Sequence, residues 1–103
     1  MEINDNNFNQ TIAADRLTFI EFGAEWCGPC RAMIPVMTEL TKKYEGKVNV
    51  GSMDIDYNPT TTMRLNITSV PTFIFFKNSQ PIERMVGAQS ITNFEKKIEE
   101  FLK

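Results

Sequence analysis

The run Leu17-Thr18-Phe19-Ile20-Glu21-Phe22 is almost continuously apolar, β-branched and aromatic. A strand of that composition is stable only with both faces covered, because either face left to water would expose large apolar side chains. One core is all that a chain of 103 residues and 42% hydrophobic content can build. The covering is therefore expected from neighbouring segments of a single domain, residues 1–103.

Those segments carry helical patterns. From Gly28 to about Tyr44, Met33, Ile34, Met37 and Leu40 recur at helical spacing, with Gly46 as the stop and Pro35 expected to bend the helix in its interior. Ile91, Phe94, Ile98, Phe101 and Leu102 form one apolar stripe behind Ser90, a good N-cap, and Glu95, Lys96, Lys97, Glu99 and Glu100 take the solvated face. The stripe reads as core packing. A weak helix is expected around Phe8 and Ile12, and Asp56-Tyr57-Asn58-Pro59 reads as the cap of another through Leu65, weakened by its run of threonines. Val48 to Ile55 and Thr72 to Phe76 read as strands. Asn78-Ser79-Gln80-Pro81 is a turn into an antiparallel strand from Ile82 to Val86 at a sheet edge, and Met1 to Ile3 is a candidate edge strand. This order predicts an α/β fold: a central mixed sheet of four to five strands flanked by helices on both faces.

Both cysteines fall in Trp26-Cys27-Gly28-Pro29-Cys30, where the first long strand meets the following helix. Residues three apart on a helix share a face, with Cβ atoms about 5–6 Å apart, which is close to disulfide separations. The pair can therefore open and close without refolding the domain. Cys27 falls at the helix start, where unpaired backbone N–H groups and the positive end of the dipole favour a thiolate, the nucleophilic form. Pro29 suits the first turn, and Gly28 brings no side chain to screen the sulfur. Cys30, one turn in, is expected to be more buried and less acidic. Plainer readings are a structural disulfide, which would constrain little over so short a loop, inert buried thiols, or half of an intermolecular metal site. An internal metal site lacks ligands, since there is no His and no third Cys. The six methionines read as packing residues.

A formal net charge of −2, with acids and bases interspersed, argues against nucleic acid and anionic membrane as partners. The first residues are polar and acidic where a signal peptide is basic and then apolar, and no run approaches membrane-spanning length. A cytoplasmic location is expected.

Four runs, in order, resemble the thioredoxin family over nearly the whole chain: Phe22-Gly23-Ala24-Glu25-Trp26-Cys27-Gly28-Pro29-Cys30-Arg31, Asp54-Ile55-Asp56-Tyr57-Asn58-Pro59, Ser69-Val70-Pro71-Thr72 and Val86-Gly87-Ala88. The resemblance implies the thioredoxin fold and a protein-disulfide reductase. Cys27 would attack a substrate disulfide and Cys30 would resolve the mixed disulfide. No cofactor would be bound; electrons would come indirectly from NADPH through a thioredoxin reductase. That reductase and disulfide-containing proteins would be the partners of a monomer. Trp26, Gly28, Pro29, Val70, Pro71, Gly87 and Ala88 would form a shallow, mostly apolar substrate-binding rim, with Trp26 as a core aromatic the alternative. The resemblance implies a cis Val70–Pro71 bond, whereas the residues alone predict trans. Other uses of such a fold are an extracytoplasmic thiol:disulfide oxidase or isomerase and a non-catalytic binding subunit. Gly28-Pro29 between the cysteines resembles reducing members.

Resolution by Cys30 asks for a base with a pKa raised toward neutrality. Glu21 is the candidate proton acceptor and donor, because it interrupts an apolar strand and burial would raise its pKa. The alternative is a carboxyl at the sheet margin with its head in water. Relatives mostly carry Asp at this position, many carry Lys at the place of Ser52, an aromatic is frequent at Gly23, and Ser79 replaces a hairpin Gly. Loss of the Lys should push the acid's pKa further up, and Gly23 should loosen local packing.

Overall fold

The strand predicted at Leu17 extends to Gly23 (β1) and lies inside the sheet, as its composition requires. A computed structural model describes all residues, Met1–Lys103. Helix α1, Phe8–Ile12, precedes β1; α2, Gly28–Ala32, and α3, Ile34–Lys43, follow it and lead to β2, Val48–Asp54. Then come α4, Pro59–Arg64, the hairpin of β3, Thr72–Lys77, and β4, Gln80–Val86, and finally α5, Ile91–Leu102. The strand order is β2-β1-β3-β4, with β2 parallel to β1 and the other pairs antiparallel.

Alternation along β1 and β3 divides the core between two faces. Leu17, Phe19, Phe73 and Phe75 pack with Met37, Leu40 and Phe94 on one side. Ile20, Phe22, Ile74 and Phe76 pack with Phe8 and Ile12 on the other. Phe19 stacks on Phe75 with centroids 4.4 Å apart and meets Phe94 at 5.0 Å. Burying each such ring contributes about 1.5–3 kcal/mol, so this aromatic layer fixes α5 against the sheet. Glu21 has the parity of Phe19 and therefore faces the α2–α3 side.

Several boundaries differ from expectation. The long helix is not bent at Pro35 but divided at Met33, because Pro35 has no N–H for the Arg31 carbonyl and its ring crowds that oxygen. Met1 to Ile3 makes only a bridge, Glu2 to Ser52, so the sheet has four strands. A Cβ on Gly51 would stand 2.6 Å from Ile3 Cδ1 and 2.8 Å from the Met1 carbonyl oxygen, so glycine there admits this segment. The hairpin turn is only Asn78-Ser79, both at positive φ, and β4 begins at Gln80. Two-residue turns of this hand match strand twist, and Pro81 is tolerated because β4 is an edge strand.

Ser90 caps α5 by accepting from the Asn93 N–H at 3.2 Å. For α4 the side-chain cap is supplied from afar: Asp5 accepts from the N–H groups of Thr60 at 3.2 Å and Thr61 at 2.9 Å. Asn58 is buried instead, accepting from the Asp5 N–H and donating to the Asp54 carbonyl, each at 2.8 Å.

Candidate active site

At the end of β1 the chain turns through Ala24, whose carbonyl accepts from the Cys27 N–H at 3.2 Å. That turn makes Cys27 the N-cap of α2, with Pro29 in the first turn. The Cys27 sulfur accepts from the Cys30 N–H at 3.1 Å, filling the position that a Ser or Asp oxygen takes at other helix starts. The two cysteines form a disulfide, with Cα atoms 5.2 Å apart.

Cys30 is not the more buried of the two, contrary to expectation: Cys27 is 4% exposed and Cys30 6%. The helix start does not leave Cys27 bare, because it packs with Ala24 and Cys30 under Ile55 and Val70.

Val70 reaches the cysteines from the loop before β3, where the Val70–Pro71 bond is cis. The Pro71 carbonyl accepts from the Gly87 N–H at 2.8 Å, and Gly87 meets it with a φ of +90°, which only glycine adopts freely. Gly28, Pro29 and Ala88 are exposed nearby in sequence to these contacts. Trp26 is 65% exposed and donates from Nε1 to Asp56 Oδ2 at 2.8 Å, so it is not a core aromatic.

Glu21 is 6% exposed, and its Oε2 is buried with no hydrogen-bond partner. Desolvation alone raises its pKa from the ordinary 4.5 to about 7. Its neighbours across the sheet are Ser52 on β2 and Phe73 on β3, neither of them a cation. A Cβ on Gly23 would lie 3.1 Å from Cys30 Sγ and 3.7 Å from Glu21 Oε2, so carboxyl and sulfur face the same small space. A cleft of about 270 Å³, lined in part by Glu21, Gly23, Cys30, Ile34 and Ser52, opens onto it.

Chemically this is a cysteine pair that can exchange two electrons, beside a carboxyl that titrates near neutrality. No cluster of three or more His, Cys, Asp or Glu side chains is arranged to hold a metal, and no helix is long and apolar enough to cross a membrane. Sequence reasoning missed the parts played by Asp56, which holds Trp26, and Ile55, which covers the sulfurs. Both lie in one of the family-like runs, but no periodicity or spacing marks a contact so distant along the chain.

The thioredoxin family model matches residues 1–100. Over 102 residues the chain is 38% identical to a thioredoxin of Alicyclobacillus acidocaldarius, 37% to one of Staphylococcus saprophyticus and 34% to one of Staphylococcus aureus. Each comparison covers 99% of this chain and 97% of the relative. A likeness running almost end to end through both chains, joined to a cysteine pair already closed as a disulfide, shows that this chain belongs to the thioredoxin family, as a thiol-disulfide oxidoreductase that reduces protein disulfides.

Proposed function

We propose that Cys27 is the attacking thiol, Cys30 the resolving thiol and Glu21 the group that takes and returns the proton. In the first step the Cys27 thiolate bonds to one substrate sulfur, the substrate disulfide breaks, and the other substrate sulfur leaves. In the second, the Cys30 thiol gives its proton to Glu21 and attacks Cys27 Sγ; the Cys27–Cys30 bond forms and the remaining substrate thiol departs. Two electrons pass from the cysteine pair to the substrate.

The observation that carries this reading is the contact from the Cys30 N–H to Cys27 Sγ. The same donor serves a thiolate better than a neutral thiol, and so favours ionisation of Cys27. Glu21 supports the second step because an acid with a pKa of about 7 is half ionised at neutral pH and both accepts and returns protons readily.

Trp26, Gly28, Pro29, Val70, Pro71, Gly87 and Ala88 form the docking rim, with the Val70 backbone offered to an extended substrate segment. The shallow apolar rim suits many disulfide-containing proteins. The chain works as one thioredoxin domain over residues 1–103, a cytoplasmic monomer and electron carrier. It has no bound cofactor or metal and does not act on nucleic acid or membranes. Its disulfide is reduced again by a thioredoxin reductase drawing on NADPH.

The test is Cys30→Ser, which stops the cycle at the mixed disulfide. Proteins captured through Cys27 and released by dithiothreitol are the expected result. Capture that persists in a Cys27→Ser variant, or alkylation that finds Cys30 the more acidic thiol, would reverse the two roles.

A further inference from the structure

We propose that a cleft between α3, β2 and the N-terminal segment binds a small aliphatic ammonium ion, its charged head on the Glu21 carboxylate and its methylene stem on Ile34 and Met37.

The cleft holds about 370 Å³, within the range of small-molecule sites, about 300–1,000 Å³. Glu21, 6% exposed, lines it with a carboxyl whose Oε2 has no hydrogen-bond partner in the protein. A buried acceptor left without a donor is costly. The ion pairs of the molecule lie elsewhere, at Lys43–Glu95 and at Lys97 with Glu83 and Glu100. A charged donor satisfies an ionised carboxylate best.

The rest of the lining selects the kind of donor. Ser52 and Thr38 bring exposed hydroxyls to the cleft, so an ammonium finds oxygens for the N–H groups that Glu21 does not take. Ile34, 58% exposed, and Met37 add an apolar wall that suits methylenes better than a bare ion.

Charge points the same way. Four carboxyl groups line this cleft and the adjoining one at Gly23: Glu21, Glu2 of the N-terminal segment, Glu25 of the turn before α2 and Asp54 of β2. Against them stand Arg31 of α2 and the Met1 ammonium, already engaged with the carbonyls of Glu25 and Val50. Cys30 is tied in the disulfide, α3 lines the cleft with uncharged residues, and the β3 neighbour is Phe73. The local field therefore favours a cation, and most strongly once Glu21 is ionised.

Binding and ionisation are linked. An ammonium that prefers the carboxylate draws the Glu21 titration down from about 7, by the same factor that ionisation adds to its affinity. The site does not depend on the proton-transfer role proposed for Glu21. Given that role, an occupied cleft shifts release by Cys30 to lower pH.

The test is titration of the oxidised protein with n-butylammonium, followed through the amide NMR signals of Glu21, Ile34, Gly51 and Ser52. The amine keeps its charge at both pH 8 and pH 5. Millimolar binding at pH 8, about tenfold weaker at pH 5, is expected, and saturating amine should lower the Glu21 titration by about one pH unit. 1-Butanol, which has the stem without the charge, should bind about tenfold more weakly or worse. Glu21→Gln should weaken binding at pH 8 by about tenfold and abolish its pH dependence, and Ser52→Lys should weaken it by setting a tethered ammonium at the cleft. A free amine and the lysine of a docked protein share this chemistry. A blocked peptide with one central lysine that moves the same signals supports the docked protein as source, and a peptide that moves none supports the free amine. Equal shifts with butanol, affinity that ignores pH, or full affinity in Glu21→Gln overturns the site. Amine binding that leaves the pH profile of release unchanged upholds the site and counts against proton transfer through Glu21.

Discussion

Trp26 and Asp56 are joined by a hydrogen bond of 2.8 Å from the indole Nε1 to a carboxylate oxygen, across thirty residues of sequence. The bond ties a largely exposed aromatic, next to Cys27 in the chain, to the loop that follows β2.

Asp56→Ala should therefore disturb the site more than the fold. An exposed pair of this kind contributes at most about 1 kcal/mol to stability. With Trp26 in its proposed docking role, loss of its anchor corresponds to slower reduction of a peptide disulfide by about two- to fivefold. Trp26 is the only tryptophan, so its fluorescence reports this site alone. Increased depolarisation in the variant, with an unchanged unfolding midpoint, is the expected pattern; unchanged fluorescence and rate would show that Asp56 does not hold the ring.

Glu21 should make the protein less stable as pH rises. The unfolded carboxyl ionises at its ordinary 4.5, whereas the folded one keeps its proton to about 7. Between those values the unfolded chain binds fewer protons, so stability falls with rising pH and the loss is complete above 7. A shift of this size corresponds to about 3 kcal/mol at most. Solvent entering by the cleft reduces the expected loss to about 1–2 kcal/mol. Glu21→Gln should recover that amount at pH 8 and nothing at pH 4, read by urea unfolding of the oxidised protein. Equal gains at both pH values would mean that packing, not ionisation, sets the difference.

How far the sequence discloses this molecule depends on the range of each interaction. β1 and α5 are legible because the burial of Phe19 and Phe94 follows from local period, and the Ser90 cap because its partner lies three residues away. The family-like runs point to a cis Val70–Pro71 bond, which the structure has and which the residues alone argue against. The burial of Cys27 was not legible, since its cover comes from Val70 and Ile55 on other segments. Glu21 lay between these cases: an acid in an apolar strand announces either a margin or a buried function, and only the packing of α2 and α3 over that face decides for burial.

Asp5 is the least legible of the structural residues, sitting in a polar stretch and capping α4 through Thr60 and Thr61. Hydrogen bonding from the Thr61 side chain first, and then from the N–H groups of Thr61 and Thr60, holds its carboxyl below the usual range. Its stabilising effect is therefore present above the unfolded pKa of about 3.8 and is lost as pH falls through the lower folded value. Asp5→Ala should melt at a lower temperature than the parent at pH 7, and the gap should narrow as pH drops into the acid range. A gap that persists undiminished in acid would mean that the loop, rather than the charged cap, has been damaged.

Ser52 decides how strongly Glu21 departs from an ordinary carboxyl. The two residues are register neighbours on β1 and β2, and desolvation is the only influence on Glu21, with no cation to oppose it. Ser52→Lys brings an ammonium to the mouth of the cleft and favours the ionised carboxylate. The Glu21 titration, followed by carbon NMR of the carboxyl, should move down from about 7 toward 4.5. Two consequences share that cause. Release by Cys30 should reach its plateau at lower pH, and stability above pH 7 should rise because less free energy is lost on ionising the folded chain. Below pH 4 the variant and parent should be equally stable. A Glu21 titration that stays in place despite the lysine would show that the carboxyl is shielded from the β2 surface, which the openness of the cleft at Ser52 argues against.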